Sequence, residues 1–149
     1  MKIRLLREKD IENAAKIVRL NYSRKYEKSA TLELKEMFGN SVIKPKYFIA
    51  EDRGEILGFA GFIQSWMDYD VYQIFWVNVL PKQQGKGIGK SLVEKIINEI
   101  KKKKDAAMIL LTADSDVKNN EYYKNNFGFK TIQLFEDNKT SHLMSLPLK

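Results

Sequence analysis

The sequence contains no cysteine and a single histidine, His142. Without cysteine the chain cannot form disulfides, thiolate metal ligands or cysteine nucleophiles, and one histidine cannot build a histidine cluster. The composition therefore argues against metal catalysis. No apolar run reaches the roughly 18 to 20 residues that a membrane span needs, and the stretch MKIRLLREKD is too charged for a signal peptide. We expect a cytoplasmic protein that holds no metal.

The charge balance is basic, and the length is that of one domain. The 149 residues carry a formal net charge of +7, and we expect a single domain over residues 1–149. A basic surface suits a nucleic acid or an acidic ligand that carries several phosphates. The tightest basic run, the four lysines 101–104, stands at the end of a predicted helix, where cations complement the helix dipole. This position favours a solvated helix end over a nucleic-acid patch.

The hydrophobic pattern predicts a chain of mixed strands and helices. In the first half of the chain we predict a strand at 2–6, a helix that begins near Asp10, a short helix at 32–38 capped by Thr31, and a hairpin of 47–51 with 56–63. A strand at 71–80, a helix through 92–100 and a strand at 106–112 follow. The chain then continues with a short helix at 121–126 and a hairpin of 129–135 with 140–146 around a turn at 136–139. In the first hairpin, Gly58 and Gly61 predict a bulge or a close backbone approach.

A glycine-rich loop joins the strand at 71–80 to the following helix. Its glycines are Gly85, Gly87 and Gly89, and a loop of this kind brings bare backbone N–H groups up to a phosphate. The P-loop pattern fails because Gln84 stands where its first glycine is needed, and the dinucleotide pattern G-x-G-x-x-G fails at Lys90. The loop therefore predicts a phosphate site of another kind.

The stretch 84–89 has the form Q-x-x-G-x-G, after a strand end of the type V-x-V-x-P at Val77, Val79 and Pro81. With these flanks the sequence resembles the GNAT superfamily of acetyl-CoA-dependent N-acetyltransferases, and the predicted element order agrees with that fold over nearly the whole chain. The resemblance implies an α/β (α+β) domain with a mixed, mostly antiparallel twisted sheet and helices on both faces.

The resemblance also implies a site for acetyl-CoA as co-substrate. In the family the loop holds the coenzyme A pyrophosphate, the central strand contacts the pantetheine arm through its main chain, and an asparagine before the next helix contacts the cofactor, at Asn119 or Asn120 here. The implied cofactor-binding residues are Val77, Asn78, Val79, Gln84, Gly85, Lys86, Gly87, Ile88, Gly89, Lys90 and Asn119.

A tyrosine is implied as the general acid that protonates the departing thiolate. The segment EYYKNNFGF, 121–129, is similar to the family's Y-x-x-x-G-F segment with one extra residue before Gly128. Tyr123 aligns best, and Tyr122 is a rival because of the insertion. Either tyrosine can also serve only as a core aromatic between helix and sheet. An unperturbed phenol, with a pKa of about 10, stays protonated until a thiolate forms.

A base for the incoming amine is harder to assign. Some family members place a glutamate near the start of the central strand, where this chain has Gln73. Asp68 and Asp70 lie just upstream as weak candidates, and Glu51 is a weaker one, although two aspartates in a polar loop are commonly just solvated. In an enzyme without a clear general base, the positioning of two bound substrates supplies much of the rate of transfer.

The function that the resemblance implies is transfer of acetyl from acetyl-CoA to a primary amine by direct attack in a ternary complex. The alternative is a catalytically weak acyl-CoA sensor of the same fold, favoured by the missing carboxylate at Gln73. The acceptor, a small molecule or a protein amine, is not identified by the sequence. Expected partners are acetyl-CoA, the acceptor and a possible second copy in a homodimer, without membrane or nucleic acid.

Overall fold

A computed structural model describes residues 1–114, 117–134 and 141–149, with the side chains of residues 114, 117–120 and 134 left outside the description. The strands are β1 (Lys2–Leu5), β2 (Lys46–Asp52), β3 (Glu55–Gln64), β4 (Val71–Val79), β5 (Met108–Asp114), β6 (Lys130–Leu134) and β7 (Ser141–Pro147). The helices are α1 (Ile11–Asn21), α2 (Arg24–Lys35), α3 (Ile88–Lys101) and α4 (Val117–Phe127). The turn predicted at 136–139 lies outside the described residues.

The strands form one sheet in the order β1-β2-β3-β4-β5-β7-β6. Neighbouring strands are antiparallel except β4 and β5, which run parallel. A parallel pair needs a crossover connection, and α3 supplies it. The element order and the mostly antiparallel sheet confirm the predicted fold class.

Helices cover both faces of the sheet, and each face has its own apolar core. On one face Ala14 and Val18 of α1 pack with Ile49 and Phe59 of the sheet. On the other face α3 buries one apolar side against the sheet, as its helical spacing predicts. The buried residues of α3 are Ile88, Leu92, Val93, Ile96, Ile97 and Ile100. The sheet therefore separates two apolar cores.

The first hairpin and its glycines match the prediction. Arg53 and Gly54, both with positive φ, form a tight two-residue turn between β2 and β3, as the twist of a hairpin favours. A Cβ at Gly58 would lie 2.7 Å from the carbonyl oxygen of Asn78, and a Cβ at Gly61 would lie 2.5 Å from the ring of Tyr47. Both glycines therefore mark close approaches, and the pairing of β3 with β4 is irregular beside Gly61.

The region after α1 departs from the prediction. Instead of a short helix capped by Thr31, α2 begins after Ser23 and runs through Lys35, followed by a 3₁₀ turn at Glu36–Phe38. Thr31 lies inside α2, where its hydroxyl donates to the carbonyl of Glu27. Only Ala30 and Leu34 of α2 are buried, so the apolar stripe is too narrow to reveal the helix by periodicity.

Within the ranges that the structure describes, no helix is long and apolar enough to cross a membrane.

Candidate active site

A cleft opens where β4 and β5 separate. The two strands pair only over Val71, Tyr72 and Gln73 of β4, and the rest of β4 pairs with β3 alone. The gap beyond is a cleft of about 350 Å³, and its lining includes residues that pack on each face of the sheet. Its lining residues are Tyr22, Ile74, Phe75, Trp76, Val77, Asn78, Leu111, Thr112, Ala113 and Tyr123.

A bulge in β4 bends the strand beside this cleft. Phe75 lies opposite Gly61 and Asn78 lies opposite Phe59, so Trp76 and Val77 together face one residue of β3. Trp76 has a φ of 52°, a left-handed conformation that is strained for a bulky residue. The bulge changes which side chains face which core: Phe75 and Trp76 pack toward α1 and α2, whereas Val77 and Val79 pack toward α3.

Main-chain N–H groups of β4 point into the cleft after the bulge. The N–H of Leu80 donates to the carbonyl of Leu57 in β3, at 2.8 Å. Because the direction of backbone groups alternates along a strand, the N–H groups of Val79 and Val77 point to the opposite edge, away from β3. The sequence resemblance implies contacts from Val77, Asn78 and Val79; by the same alternation the N–H of Asn78 points toward β3, where Asn78 pairs with Phe59.

Gln84 connects the glycine loop to the strand end. Its amide donates to the Val79 carbonyl at 3.2 Å and to the Asn21 side chain at 3.1 Å. Asn21, at the end of α1, donates in turn to the buried Asn78 side chain at 3.0 Å and to the Val79 carbonyl at 2.9 Å. The network fixes the loop against β4 and α1, so the Gln84 side chain has a structural role at this site.

The amino terminus of α3 faces outward without a side-chain cap. Gly87 is the N-cap residue with a φ of 84°, and no acidic residue lies in the first turn. The first bond into the helix runs from the Ser91 N–H to the Gly87 carbonyl. The N–H groups of Ile88, Gly89 and Lys90 therefore lack helical partners and carry the positive end of the helix dipole, an arrangement that suits phosphate.

Gly89 keeps the space between α3, β4 and α4 open. A Cβ at this position would lie 3.7 Å from the Tyr122 hydroxyl, 3.7 Å from a methyl group of Val79 and 3.9 Å from one of Val77. The added atom would fill the space between these groups without clashing. The absent side chain leaves the start of α3 bare beside β4, and the unpaired N–H groups there suit the phosphates of the expected acetyl-CoA.

The two rival tyrosines occupy different parts of the site. Tyr123 lines the cleft between β4 and β5 and contacts Phe129 and Phe127 edgewise or tilted. Tyr122 directs its hydroxyl toward Gly89, and burial, with a smaller effect of the Glu94 carboxylate, raises its pKa. Tyr123 therefore lies nearer the point where the strands part, and Tyr122 nearer the glycine loop.

The predicted bases lie away from the cleft. The Asp68 carboxylate accepts a bond from the Asp70 N–H at 2.9 Å in the exposed loop between β3 and β4, and neither residue lines the cleft. Gln73 pairs in β4 where the strands are still joined. Glu51 accepts a 2.8 Å bond from Arg4, and that bond lowers its pKa. None of these groups reaches the described cleft wall.

The remaining predicted residues are either described only in part or lie away from the site. Asn119 and Asn120 belong to α4, but their side chains lie outside the described residues. Of the four lysines 101–104, Lys102 donates to Glu99 at 2.8 Å at the end of α3, and all four are exposed. They form a solvated helix end.

Sequence reasoning named only Val77, Asn78 and Tyr123 of the cleft lining. The residues that it missed include Trp76 and Tyr22, and it also missed Asn21 of the network at the strand end. For Trp76 a signal was present, because the four apolar residues 74–77 interrupt the alternation of a strand and indicate a bulge. Tyr22 and Asn21 reach the site from the end of α1, and no local pattern marks them. Asn21 precedes its partner Asn78 by 57 positions.

The family model described as "Acetyltransferase (GNAT) family" matches residues 12–129. The chain belongs to the GNAT acetyltransferase family. The match includes Asn21 at the end of α1 and the Tyr122–Tyr123 pair of α4. Among curated protein sequences, none matches this chain.

Solved structures with the same fold include GNAT proteins of diverse origin. A protein assigned to the GNAT family from Desulfovibrio desulfuricans has a TM-score of 0.86 at 13% identity, over 99% of each chain. The ribosomal-protein-S18-alanine N-acetyltransferase of Escherichia coli has a TM-score of 0.76 at 20% identity, over 99% of this chain and 94% of its own. PaiA N-acetyltransferase of Thermoplasma acidophilum, solved with coenzyme A, has a TM-score of 0.73 at 21% identity, over 99% of each chain. At these identities the likeness shows the fold alone.

Proposed function

We propose that this GNAT protein transfers the acetyl group of acetyl-CoA to a primary amine by direct attack in a ternary complex. The observation that carries the proposal is the cleft between β4 and β5, whose lining includes residues of the α3 face and residues of the α1 and α2 face. A donor that enters along α3 and an acceptor that enters from the other face can meet there without a covalent enzyme intermediate.

The residues of the α3 side bind the donor in this proposal. The free N–H groups at the start of α3, with Lys86 and Lys90 beside them, receive the pyrophosphate. The N–H groups of Val77 and Val79 bind the pantetheine arm and polarise the thioester carbonyl. Acetyl-CoA supplies an activated acetyl group whose carbon–sulfur bond breaks as the carbon–nitrogen bond forms.

Tyr123 is the proposed general acid. The attacking amine must lose a proton and the departing thiolate must gain one, and the Tyr123 side chain lies on the cleft wall where the strands part. A phenol near neutral pH holds its proton until a thiolate accepts it. Asp68 and Asp70 remain the weak candidates for taking the amine proton, directly or through a water, and neither residue lines the cleft.

Titration calorimetry with acetyl-CoA tests the donor half of the proposal. We expect saturable binding at submillimolar concentration, because the helix terminus and the strand offer a preformed set of donors. Absence of binding in that range would overturn the assignment of the cleft to acetyl-CoA.

A sensor that binds acyl-CoA without rapid chemistry is the second candidate. The observation in its favour is that the described lining of the cleft contains no aspartate or glutamate. Release of free coenzyme A thiol in the presence of a panel of primary amines separates the two candidates. An enzyme releases thiol in proportion to the amine, whereas a sensor binds acetyl-CoA and releases none.

A further inference from the structure

The side chain of Asn78 lies in the cleft and is almost fully buried. Asn78 is 4% exposed and belongs to the cleft lining. It stands between Val77 and Val79, which pack toward α3, and side chains alternate between the two faces of a strand. Its bond to Asn21 of α1 agrees with this alternation. The Asn78 side chain therefore points to the α1 and α2 face, the side of the cleft that the proposed function gives to the acceptor.

The hydrogen bonds at the strand end determine which branch of the Asn78 amide is the nitrogen. The Val79 carbonyl can only accept, so the Asn21 side-chain atom 2.9 Å from it is the amide nitrogen. The same nitrogen lies 3.0 Å from the Asn78 side chain, so the Asn78 atom that accepts this bond is the oxygen. Gln84 donates to the Asn21 oxygen at 3.1 Å, which holds Asn21 in this orientation. The Asn78 NH₂ group is therefore the branch that does not face Asn21.

This NH₂ group is a hydrogen-bond donor without a partner in the described part of the chain. The hydrogen bond that the Asn78 oxygen accepts from Asn21 is the only one that the side chain makes with the described residues. Among those residues, the Tyr47 hydroxyl is the one side-chain group that is both unpaired and sealed from solvent, so the Asn78 nitrogen keeps access to the cleft. The indole N–H of Trp76, a donor on the same face, is already bonded to Glu33 at 2.6 Å. Asn78 therefore offers an unused donor to a ligand in the cleft.

The described cleft lining carries no charged side chain. A ligand ammonium group finds no counter-ion on this wall, so packing and hydrogen bonds must select the ligand there. The NH₂ group of a side-chain amide only donates, so it pairs with a lone pair and not with a protonated amine. An uncharged oxygen on the ligand is the partner that suits it.

We propose that the Asn78 NH₂ group donates a hydrogen bond to an uncharged oxygen of the acceptor, close to the amine that is acetylated. Asn78 is then a specificity-determining residue, and Asn21 and Gln84 are positioning residues that hold its amide. An amine without such an oxygen leaves the buried donor unpaired, and this disfavours it as an acceptor. The inference rests on the proposed acetyl transfer, and it assigns one side chain of β4 to recognition of the acceptor.

The kinetic test compares 2-methoxyethylamine with n-butylamine, two amines of equal chain length in which an ether oxygen replaces one methylene group. Asn78→Asp keeps an oxygen for Asn21 and removes the NH₂ group. The preference is the kcat/KM for the ether amine divided by that for n-butylamine. It should fall about three- to tenfold in the variant, the range for one neutral hydrogen bond. Comparing this preference between variant and wild type cancels the different basicity of the two amines.

Asn13→Asp is the matched control, because it adds the same charge at an exposed position of α1 outside the cleft lining. It should leave the preference unchanged. Asn78→Leu removes the donor without adding a charge, and it should lose the same preference as Asn78→Asp. A distortion of β4 alone would instead lower activity with both amines equally. An unchanged preference in both Asn78 variants would overturn the inference while leaving acetyl transfer established.

An NMR titration tests the same contact without any chemistry. In protein labelled with nitrogen-15, the Asn78 side-chain signals are the NH₂ pair that is absent from Asn78→Asp. They are followed as 2-methoxyethylamine or n-butylamine is added to protein saturated with coenzyme A. We expect a saturable shift of this pair with the ether amine that n-butylamine does not produce.

The outcomes of the titration separate the contact from the reaction. The expected shift without any acetylation would support the contact and contradict the proposed transfer. No shift, equal shifts with both amines, or a shift with coenzyme A alone and none on addition of the ether amine would overturn the assignment of Asn78 to the acceptor.

Discussion

At the scale of single residues, the two neighbouring tyrosines of α4 have different surroundings. Tyr123 lies on the wall of the cleft, whereas the Tyr122 hydroxyl lies across from Gly89 at the start of α3. One insertion before Gly128 leaves Tyr122 as a rival in the alignment to a short motif, although Tyr123 aligns best. Their positions on the helix separate them, because successive residues of a helix point in different directions.

Tyr123→Phe is expected to lower kcat about 100-fold, since general acid catalysis contributes roughly that much or more. Affinity for acetyl-CoA should stay within about twofold, because the variant removes one hydroxyl and keeps the ring that packs on Phe129. Steady-state kinetics and calorimetry give the two values. Tyr122→Phe is the matched control, and a loss of kcat in that variant alone would move the acid to Tyr122.

Arg4 and Asp10 form a largely buried ion pair at 2.8 Å, far from the cleft. The hydrogen bond from Arg4 lowers the pKa of Asp10. A carboxyl with a lowered folded pKa stabilises the protein above its unfolded pKa of about 4, and the contribution disappears as the pH falls through the folded value. Asp10→Asn should therefore reduce the free energy of unfolding by about 2 kcal/mol at pH 7.

Urea denaturation of wild type and Asp10→Asn at several pH values measures this contribution. The difference between the two proteins should start to shrink near pH 4, where the unfolded carboxyl takes up a proton, and should disappear as the pH falls through the lower folded pKa, where the paired carboxyl also becomes neutral. Kinetic constants at pH 7 should be unaffected. A difference that is constant from pH 7 to pH 2 would contradict the role of the charge.

At the scale of elements, Gly87 and Gly89 lie where the loop after β4 joins α3, and each is a glycine for a different reason. Gly87 has a φ of 84° with nothing near its Cβ position, while Gly89 lies within α3, its Cβ position bordered by Tyr122, Val77 and Val79 at ordinary contact distances. Gly87 allows the left-handed backbone turn, and Gly89 leaves the space between α3, β4 and α4 free of a side chain. Comparing the same substitution at both positions separates the two effects.

Gly89→Ala is expected to raise the free energy of unfolding by about 0.5–1 kcal/mol, because alanine favours a helix over glycine by that amount. The same variant should weaken acetyl-CoA binding, since the new methyl group enters the space beside β4. Gly87→Ala should instead lower stability by about 1–2 kcal/mol through its left-handed backbone. Chemical denaturation and calorimetry test both, and unchanged affinity in Gly89→Ala would contradict a ligand in this space.

The order of the elements and the glycine loop could be predicted because their signals are local. Periodicity located α1, the hairpin of β2 and β3, and α3, and the loop spacing pointed to the family. The α2 helix was misjudged because only Ala30 and Leu34 are buried. The contacts of Asn21 with Asn78, and of Glu33 with Trp76, join residues 57 and 43 positions apart, and only the fold brings them together.

At the scale of the whole molecule, the proposed reaction uses one face of the sheet for the donor and the other face for the acceptor. The α3 face supplies unpaired N–H groups and lysines for an anionic donor, and the α1 and α2 face carries Trp76 of the cleft lining. The cleft between β4 and β5 joins the two faces.

Incubation with acetyl-CoA labelled with carbon-13 in the acetyl group, together with a panel of primary amines, tests acetyl transfer most directly. Mass spectrometry then shows whether the label reaches an amine as an amide. We predict enzyme-dependent labelling that falls strongly in Tyr123→Phe. Label that stays on coenzyme A with every amine, from a protein that binds acetyl-CoA, would contradict the enzyme and support a sensor.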